Sequence, residues 1–387
     1  MFVHSTHLPQ LLSPEHYFGG DAYQAELRNI FLPSWQLVGT VSQVRSDGDF
    51  FTRQLFDRPI IVWRHGESLR AFINVCPHRF ATLTSSSCGR MSPLVCQYHG
   101  WEFDGDGCTR KIPDAQSFRP LSHNSAKLTA VRVETCGQLI FVCFDPQTPP
   151  LNEWLGDVHT RIAALCGPTR PHVDTLDKPL NANWKIAVEN AIESYHIDCV
   201  HGRTFQKSPP ADRCDHELCE QGSSFETTEP PPVGRWQQFG ERLYHHLLGW
   251  PYHELYRHEI VHPNLMLGRS RTFSWAMTAH PTSARHSQLL LFLYCHPPNR
   301  TNPFSRSLFW VAKKYAARFT RTAIEEDMAI LPPVQQGLES AELPRGGLIS
   351  VREERVHHFQ KYVLEKLLLQ LSVPVRLADE LGPACQP

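Results

Sequence analysis

Two pairs of cysteine and histidine in the first third of the chain have the spacing of metal ligands. Cys76 and His78 form the first pair, and Cys96 and His99 form the second, with seventeen residues between His78 and Cys96. Two thiolates and two imidazoles can hold a [2Fe–2S] cluster in which one iron keeps the thiolates and the other takes the imidazoles. Each segment then supplies one ligand to each iron, which predicts an electron-transfer centre.

The same ligand types also occur in Cys2His2 zinc sites, and chance is a third explanation. Zinc sites commonly pair cysteine with cysteine and histidine with histidine, whereas both segments here are mixed, C-x-H and C-x-x-H. With 12 cysteines and 22 histidines in 387 residues, a coincidence at all four positions is rare. The pattern therefore favours the cluster over zinc.

A second group of candidate ligands lies in the middle of the chain. His196 and His201 are five residues apart, and the acids Glu189, Glu193 and Asp198 surround them. On a regular helix, residues five apart point about 140° away from each other, so both reach one metal only where the helix distorts or ends between them. Two imidazoles and one carboxylate leave positions open for dioxygen and substrate, as in non-haem Fe(II) oxygenases.

The carboxylate ligand must come from another part of the chain. Asp327 is the best candidate, because it lies in IEEDM (324–328) on a predicted helix that leads into Gln336-Gly337-Leu338. Glu326 is the alternative ligand. Consecutive acids on a helix are also typical of a solvated face, so this segment is informative only together with the two histidines.

Composition limits the classes of function. The length allows two or three domains, and 38 basic against 39 acidic side chains, without a run of one sign, exclude a nucleic-acid or membrane-surface footprint. No apolar stretch approaches the ~20 residues of a membrane helix, and Met1 to Ser13 lack the features of a signal peptide. We expect a cytoplasmic protein with no membrane or nucleic-acid partner, whose cysteines are thiols or ligands.

Short apolar runs separated by turns predict an all-β domain between about Trp35 and Pro146. Before it, residues 14–36 predict a short amphipathic helix. After it, the segment DPQTPPLNE (145–153) predicts a linker. The predicted strands are Pro59–Trp63, Leu69–Ile73, Leu94–Tyr98 and Leu139–Phe144.

The second half predicts a mixed domain in which strands precede helices, which indicates an α+β layer arrangement. The sequence between His201 and Pro232 predicts loops. Strands are predicted at Arg271–Met277 and Ser287–Tyr294. Helices are predicted at Trp154–Cys166, Trp184–His201, Ser305–Gln336 and Arg352–Leu371.

An aromatic-rich segment of the second half either packs in a core or interface or lines a pocket. In a pocket, aromatic faces would suit a cationic ammonium group through cation–π attraction. The segment comprises Trp236, Phe239, Tyr244, Trp250, Tyr252 and Tyr256.

The cysteine–histidine segments resemble the cluster loops of Rieske proteins, in particular the Rieske non-haem iron oxygenases of the aromatic-ring-hydroxylating family. CPHR and CQYHGWEFDGDG are the matching segments, and the flanking Asn74 matches as well. The resemblance implies that Cys76 and Cys96 ligate one iron and that His78 and His99 ligate the other.

The stretch E-N-x-x-E-x-Y-H-x-x-x-x-H (189–201) resembles the mononuclear iron motif of the same family. The acidic segment before Gln336 is similar to the late carboxylate ligand of that family. The resemblance therefore implies that His196, His201 and Asp327 hold Fe(II).

The resemblance also implies a fold and a domain organisation. Residues 37–150 would form an all-β Rieske [2Fe-2S] domain, and 151–387 a helix-grip-like (START/Bet v1-like) α+β catalytic domain. Residues 1–36 would form a helical segment that packs on the catalytic domain. Members of the family usually assemble as a homotrimer.

The family pattern gives Glu193 a role. In the family an acidic residue bridges a cluster histidine of one subunit and an iron histidine of its neighbour, and Glu193, three residues before His196, occupies that place. Many members have Asp at this position. A Glu at this position resembles the oxygenases that act on quaternary ammonium compounds such as carnitine, choline and betaines. The implied electron path runs from His78 or His99 through Glu193 to His196.

The implied function is that of a terminal oxygenase component. Because the chain lacks a G-x-G-x-x-G dinucleotide fingerprint, its electrons are expected from a separate NAD(P)H-dependent reductase or ferredoxin. With O2, the enzyme would hydroxylate or oxidatively demethylate a small organic substrate. The alternatives are an aromatic-ring dioxygenase that makes a cis-diol, and a Rieske electron-transfer or ligand-binding protein.

Overall fold

The computed structural model describes residues 1–121, 126–205, 207–228, 235–250, 255–300 and 302–368, without the side chains of 235–238, 240 and 241. Within these residues the strands are β1 (Leu8–Pro9), β2 (Gln36–Thr40), β3 (Asp49–Leu55), β4 (Arg58–His65), β5 (Ser68–Ile73), β6 (Cys88–Arg90), β7 (Leu94–Val95), β8 (Glu102–Phe103), β9 (Thr109–Lys111), β10 (Ala130–Cys136), β11 (Leu139–Cys143), β12 (His172–Leu180), β13 (Cys214–Cys219), β14 (Gly222–Thr228), β15 (Leu255–Val261), β16 (Leu265–Arg269), β17 (Phe273–Pro281), β18 (Ser287–Cys295) and β19 (Leu348–Ile349). The α-helices are α1 (Gly20–Glu26), α2 (Leu151–Leu155), α3 (Asp157–Leu165), α4 (Trp184–Ala191), α5 (Ile197–Val200), α6 (Arg235–Leu248), α7 (Pro303–Leu338) and α8 (Glu354–Leu368).

An antiparallel seven-stranded sheet, in the order β2-β11-β10-β5-β4-β3-β6, forms the first domain together with the three-stranded sheet β7-β8-β9. The four strands predicted in this region are present. β4 and β5 form a hairpin in which His65 pairs with Ser68, so residues 66 and 67 form one of the turns expected between the apolar runs. The strand predicted at Leu94–Tyr98 was too long: it ends at Val95, because Cys96 begins a loop.

A second antiparallel sheet of seven strands, in the order β12-β18-β17-β16-β15-β14-β13, forms the second domain. The strands predicted at Arg271–Met277 and Ser287–Tyr294 correspond to β17 and β18. The prediction of loops between His201 and Pro232 was wrong, because β13 and β14 lie there. The inward positions of β14 include Ser223 and Thr227, so this strand lacks the apolar alternation that marks a half-buried strand.

The predicted helices of the second half are present, but two of them are divided, and α6 was not predicted. The helix predicted at Trp154–Cys166 is divided at Gly156 between α2 and α3. The helix predicted at Ser305–Gln336 is α7, and α8 lies within the one predicted at Arg352–Leu371, whose last three residues lie outside the described part of the chain. The helix predicted at Trp184–His201 is divided into α4 and α5. Among the described residues, no helix is both long enough and apolar enough to span a bilayer.

The N-terminal segment joins the core of the second domain. Helix α1 continues as a π-helical turn (Leu27–Phe31), and both lie against α8. The Phe31 ring meets the Trp184 ring edge-on with centroids 4.8 Å apart, and Trp184 meets Phe359 of α8 at 5.5 Å. These contacts fix the start of α4, the helix that leads to the histidine segment.

A buried ion pair fastens this junction. The Glu26 carboxylate of α1 accepts hydrogen bonds from Lys185 Nζ and, at 2.8 Å, from Trp184 Nε1. Glu26 and Lys185 have no exposed side-chain surface. Removing one partner would leave an uncompensated buried charge, which costs far more than the loss of a surface pair.

We expect the substitution Glu26→Gln to lower the free energy of unfolding by about 3–5 kcal/mol, because it leaves Lys185 charged and buried. Urea denaturation followed by tryptophan fluorescence measures this change. The matched control is Glu365→Gln, which removes an exposed pair with Lys361 and should change stability by less than about 1 kcal/mol. Equal effects of the two substitutions would contradict the assignment, whereas recovery in a Glu26→Gln, Lys185→Met double variant would support it.

Candidate functional site

The first cysteine–histidine loop begins at Cys76, shortly after β5. The Cys76 N–H donates to the Ala81 carbonyl at 2.8 Å, and the Cys76 carbonyl accepts from the Phe80 N–H at 3.0 Å. Phe80 takes a positive φ of 60° to close the loop. Behind it, the buried Asn74 side chain donates to the Thr84 carbonyl at 2.9 Å. The loop is therefore held by backbone and side-chain hydrogen bonds that need no metal.

The second loop repeats this backbone pattern. The Cys96 N–H donates to the Trp101 carbonyl at 2.8 Å, and the Cys96 carbonyl accepts from the Gly100 N–H at 3.0 Å. Gly100 has a φ of +70°, which glycine adopts without steric cost. The Gln97 N–H donates to the Leu83 carbonyl at 2.9 Å and ties the two loops together. We call the two segments the cluster loops.

The cluster loops bring the four predicted ligands together with thiols inside and imidazoles outside. Cys76 and Cys96 are 1% and 2% exposed, and burial raises the pKa of Cys76 to about 11. His78 and His99 are half-buried, with ring centroids 4.7 Å apart, and His78 stacks on Trp101 at 4.9 Å. A thiol with so high a pKa ionises at neutral pH only when a metal binds it.

The arrangement fits a two-iron cluster better than one zinc ion. Four ligands of a single zinc, at 2.0–2.3 Å, would lie within about 4 Å of one another. Among the described residues, the group of three or more candidate ligands whose atoms all lie within 4.8 Å belongs to the second site, not to the cluster loops. A [2Fe–2S] cluster divides its thiolates and imidazoles between two irons, so all four need not converge.

His196, His201 and Asp327 form the second site, here called the metal triad. The Nε2 atoms of the histidines are 3.2 Å apart, and Asp327 Oδ1 lies 3.5 Å from His196 Nε2 and 3.2 Å from His201 Nε2. Ligands on one face of a metal, with bonds of about 2.1 Å at right angles, are about 3 Å apart. The structure thus brings the three predicted ligands to one point, and their spacing fits one Fe(II).

A break after α4 lets the two histidines converge. The helix ends at Ala191, and His196 starts the short turn α5. The Glu193 carboxylate accepts from the backbone N–H groups of Tyr195 and, at 3.3 Å, His196. The sequence predicted that the helix distorts or ends between the histidines. Helix α5 does end between them, at Val200, and the break after α4 lies before both.

Each metal-facing imidazole donates a hydrogen bond from its other ring nitrogen, Nδ1, to a carboxylate. His196 Nδ1–H donates to Glu193, and His201 Nδ1–H donates to Glu326 Oε2 at 3.1 Å. In the neutral ring this places the lone pair on Nε2, where a metal would bind in place of a proton. Glu326 also accepts from Thr204 Oγ1 at 2.6 Å. Its geometry is that of a partner of His201, and Asp327 is the acid that faces both Nε2 atoms.

The opposite charges of the histidines and the acids at the metal triad stabilise each other. Burial alone would lower the pKa of His196, but hydrogen bonds and charges from Asp327 and Glu193 outweigh it and raise the pKa to about 9. Burial alone would raise the pKa of Asp327, but bonds from both histidines outweigh it and lower the pKa to about 2. Asn190 Nδ2 donates to Asp327 Oδ1 at 2.9 Å. The acid is therefore ionised and held in place as a ligand must be.

A cavity of about 830 Å³ reaches the metal triad. It lies between the second sheet and α7, and its aromatic lining residues are Phe205, Phe225, Tyr244, Tyr256, Phe273, Trp275, Tyr315 and Phe319. Both interpretations of the aromatic-rich segment hold in part, because Tyr244 and Tyr256 line the cavity whereas Trp250 packs against Leu248 and Ala312. The Trp236 side chain and Tyr252 lie outside the described residues.

Sequence reasoning missed two kinds of functional residue. Asn190 follows Glu189 in the histidine motif, but nothing local shows that it would reach Asp327, 137 residues later. Glu326 was considered as a ligand only, although adjacent residues on a helix point about 100° apart. With Asp327 assigned to the metal, that angle could have predicted a different contact for Glu326.

Two family patterns cover most of the chain. Residues 34–136 match the family described as Rieske [2Fe-2S] domain. Residues 163–368 match the family described as ring hydroxylating alpha subunit (catalytic domain). The first match contains both cluster loops, and the second contains the metal triad.

Individual relatives agree with these matches. The large oxygenase component of naphthalene 1,2-dioxygenase from Pseudomonas putida is 33% identical over 211 residues, 50% of this chain and 46% of that protein. The chain thus matches just under half of that relative's length. The chloroplastic choline monooxygenase of Spinacia oleracea is 25% identical over 354 residues, 89% of this chain and 75% of that protein.

Solved structures share the whole fold. A quaternary ammonium Rieske monooxygenase described in connection with carnitine oxidation by gut microbiota has a TM-score of 0.75 at 20% identity, covering 94% of this chain and 95% of that one. Naphthalene 1,2-dioxygenase from Rhodococcus sp., bound to indole, has a TM-score of 0.73 at 16% identity over 94% and 95%. At these identities the likeness establishes the fold alone.

We expect His196→Ala to reduce the iron content from about three to about two per chain, because the cluster keeps two. Glu326→Gln should instead weaken the third iron by about 10–100-fold, the effect of losing a partner of a ligand. Iron analysis, iron titration and the visible spectrum of the cluster measure both changes. His286→Ala, at an exposed histidine, is the control. A third iron retained in His196→Ala would disprove the triad, and complete loss in Glu326→Gln would make Glu326 a ligand.

Proposed function

We infer that this protein, which belongs to the ring hydroxylating alpha subunit family, is the terminal oxygenase component of an electron-transfer system. In this proposal the cluster loops hold a Rieske [2Fe–2S] cluster through Cys76, His78, Cys96 and His99, and the metal triad holds Fe(II). The observation that carries the proposal is the metal triad at a cavity of about 830 Å³, large enough for an organic substrate.

The bound metals would supply stored electrons and a site for the activation of O2 next to the substrate. The side chains of the protein position the metal ligands and the substrate. Glu193 and Glu326 fix the tautomers of the two histidines, and Asp327 supplies the negative charge that holds a divalent cation. The apolar walls of the cavity keep water from the reacting group and orient it toward the metal triad.

Electrons must enter from outside the chain, and we propose an NAD(P)H-dependent reductase or ferredoxin as their source. Support comes from the half-buried imidazoles of His78 and His99, which face the surface beside Tyr98, 56% exposed, and Phe80, 80% exposed. We further propose a homotrimer in which Glu193 links His196 to a cluster histidine of the neighbouring subunit. Within one chain, Glu193 already contacts His196.

We propose the domain division 1–36, 37–150 and 151–387. The two seven-stranded sheets fall on either side of residue 150. The segment before 37 is packed on α4 and α8 of the second domain rather than on the first sheet alone. It would then stabilise the catalytic domain.

The proposed reaction is hydroxylation or oxidative demethylation of a small organic substrate. Choline monooxygenase, similar over 89% of this chain, supports this version. An aromatic-ring dioxygenation to a cis-diol is the second candidate, favoured by the 33% identity to the naphthalene dioxygenase component and by the aromatic walls of the cavity.

Oxygen uptake in a single turnover tests the proposal. Iron-loaded protein is reduced without oxygen and then mixed with O2 and carnitine, choline, betaines or simple aromatic acids. We expect one of these compounds to stimulate uptake and to yield a hydroxylated or demethylated product, and His196→Ala to show neither while its cluster remains reducible. Uptake in His196→Ala, or a reducible wild-type cluster that never consumes O2, would favour an electron carrier.

The role of Glu193 has its own test. With iron in excess, Glu193→Gln should still hold both metals, although its third iron binds more weakly, as in Glu326→Gln. The oxidation of the reduced cluster should slow by roughly tenfold or more, because the amide orients His196 less strongly than a carboxylate. Stopped-flow absorbance with O2 and substrate measures the rate. Asp198→Asn, in the same segment but bonded to the Ser208 N–H, is the control. An unchanged rate in Glu193→Gln would place the bridge elsewhere.

A further inference from the structure

Among the described residues, one buried cation that lines the cavity has no acidic hydrogen-bond partner. Arg355, near the start of α8, is 1% exposed. Its Nε donates to Ser223 Oγ at 3.0 Å, its Nη2 to the Ser223 carbonyl at 3.1 Å, and its Nη1 to the Ile192 carbonyl at 2.9 Å. All of these acceptors are neutral. Burial lowers the pKa of Arg355 to about 9, so the guanidinium is still charged at neutral pH.

His258 places a second donor beside Arg355. Its Nδ1 lies 3.3 Å from Arg355 Nη1, and because a guanidinium only donates, Nδ1 is the unprotonated nitrogen. The ring proton is therefore on Nε2, which is buried and has no hydrogen-bond partner within the described parts of the chain. Burial and the charge of Arg355 hold the pKa of His258 well below its usual range, so this neutral tautomer persists.

The sheet leaves a flat apolar surface next to these donors. His258, Gly268 and Trp275 lie side by side on β15, β16 and β17. A Cβ at Gly268 would lie 2.1 Å from Trp275 Cε2, so only glycine lets the indole lie across the sheet. The indole reaches the His258 ring, with centroids 5.2 Å apart. An apolar group resting on Trp275 would bring a polar substituent close to His258.

The described lining has no carboxylate left for a cationic ligand. Glu193 and Asp327 are the two acids that line the cavity, and both contact the histidines of the metal triad. Buried charge and an unpaired N–H donor both call for an acceptor that bears negative charge.

We propose that Arg355 and His258 bind an anionic oxygen group of the substrate, such as a carboxylate, while the apolar body of the substrate packs on Trp275. The proposal rests on the proposed function and names the substrate class, an organic acid. The anion would pair with the guanidinium and accept from His258 Nε2–H. A site for an anionic group would also favour such a substrate over simple quaternary ammonium cations.

The binding of ligands of different charge to the wild-type holoprotein tests whether the site prefers an anion. Isothermal titration without oxygen compares 2-naphthoate with two ligands of similar shape, neutral 2-naphthamide and cationic (2-naphthyl)trimethylammonium. We expect naphthoate to bind roughly tenfold or more tightly than the amide, because charge-assisted hydrogen bonds are the stronger ones. Equal affinities, or tighter binding of the amide or the cation, would overturn the proposal.

Substitutions test whether Arg355 and His258 form the anion-binding site. Arg355→Met should abolish the preference for naphthoate, Arg355→Lys should keep a reduced preference, and His258→Phe should weaken naphthoate binding by roughly fivefold. Arg257→Met, on the opposite face of β15 where Arg257 pairs with Glu226 at 3.2 Å, is the control. If Arg355→Met does not fold, the lysine and His258→Phe variants decide. A full preference in both of these would put the anion site elsewhere and overturn the assignment.

The binding experiment needs no turnover, so it can fail independently of the proposed function. Preference for the anion without oxygen uptake would disprove the oxygenase and leave the anion site standing. Oxygen uptake with a neutral or cationic substrate, and no preference for naphthoate, would do the reverse.

Discussion

The hydrogen bonds from two imidazoles to Glu193 and Glu326 are the contacts on which the metal site depends. They set the tautomers, yet the two carboxylates come from elements far apart in sequence, the turn after α4 and the helix α7. The fold must therefore fix α4 against α7. It does so at both ends of α4: the Asn183 N–H donates to Gln335 at 2.8 Å, and the Asn190 side chain donates to Asp327 at 2.9 Å. A shift of either helix would separate a ligand from its partner.

The cluster loops differ from the metal triad, because the contacts that shape each loop come from within the same short segment of the chain. Each positions its cysteine and histidine through backbone hydrogen bonds within six residues, closed by a residue with positive φ, Phe80 or Gly100. The candidate ligands of the two loops also differ in burial according to their chemical type. The thiols of Cys76 and Cys96 lie in the core of the domain, while the imidazoles remain near the surface. A cluster held by these residues would have an exposed side, next to the imidazoles, for the exchange of electrons.

This difference explains how much the sequence could predict. The cluster loops are visible from spacing alone, since all four ligands lie in two short segments. The metal triad needed the family resemblance, because Asp327 follows His201 by 126 residues and only the packing of α7 brings them together. The break after Ala191 was not foreseen, because it is stabilised by the Glu193 side chain and by Arg355 of α8, which donates to the Ile192 carbonyl.

Two strands that the sequence did not predict, β14 and β15, line the cavity together with the predicted strands β17 and β18. An apolar alternation marks strands that face a filled core, but β14 and β15 face an open cavity and carry Ser223, Thr227 and His258 on that side. The polar positions make the strands hard to recognise from the sequence. Ser223 and His258 also contact Arg355, and His258 Nε2 has no hydrogen-bond partner among the described residues. Local patterns conflict with the fold where a site has replaced core packing, and in β14 and β15 this replacement has removed the apolar alternation that would have marked them as strands.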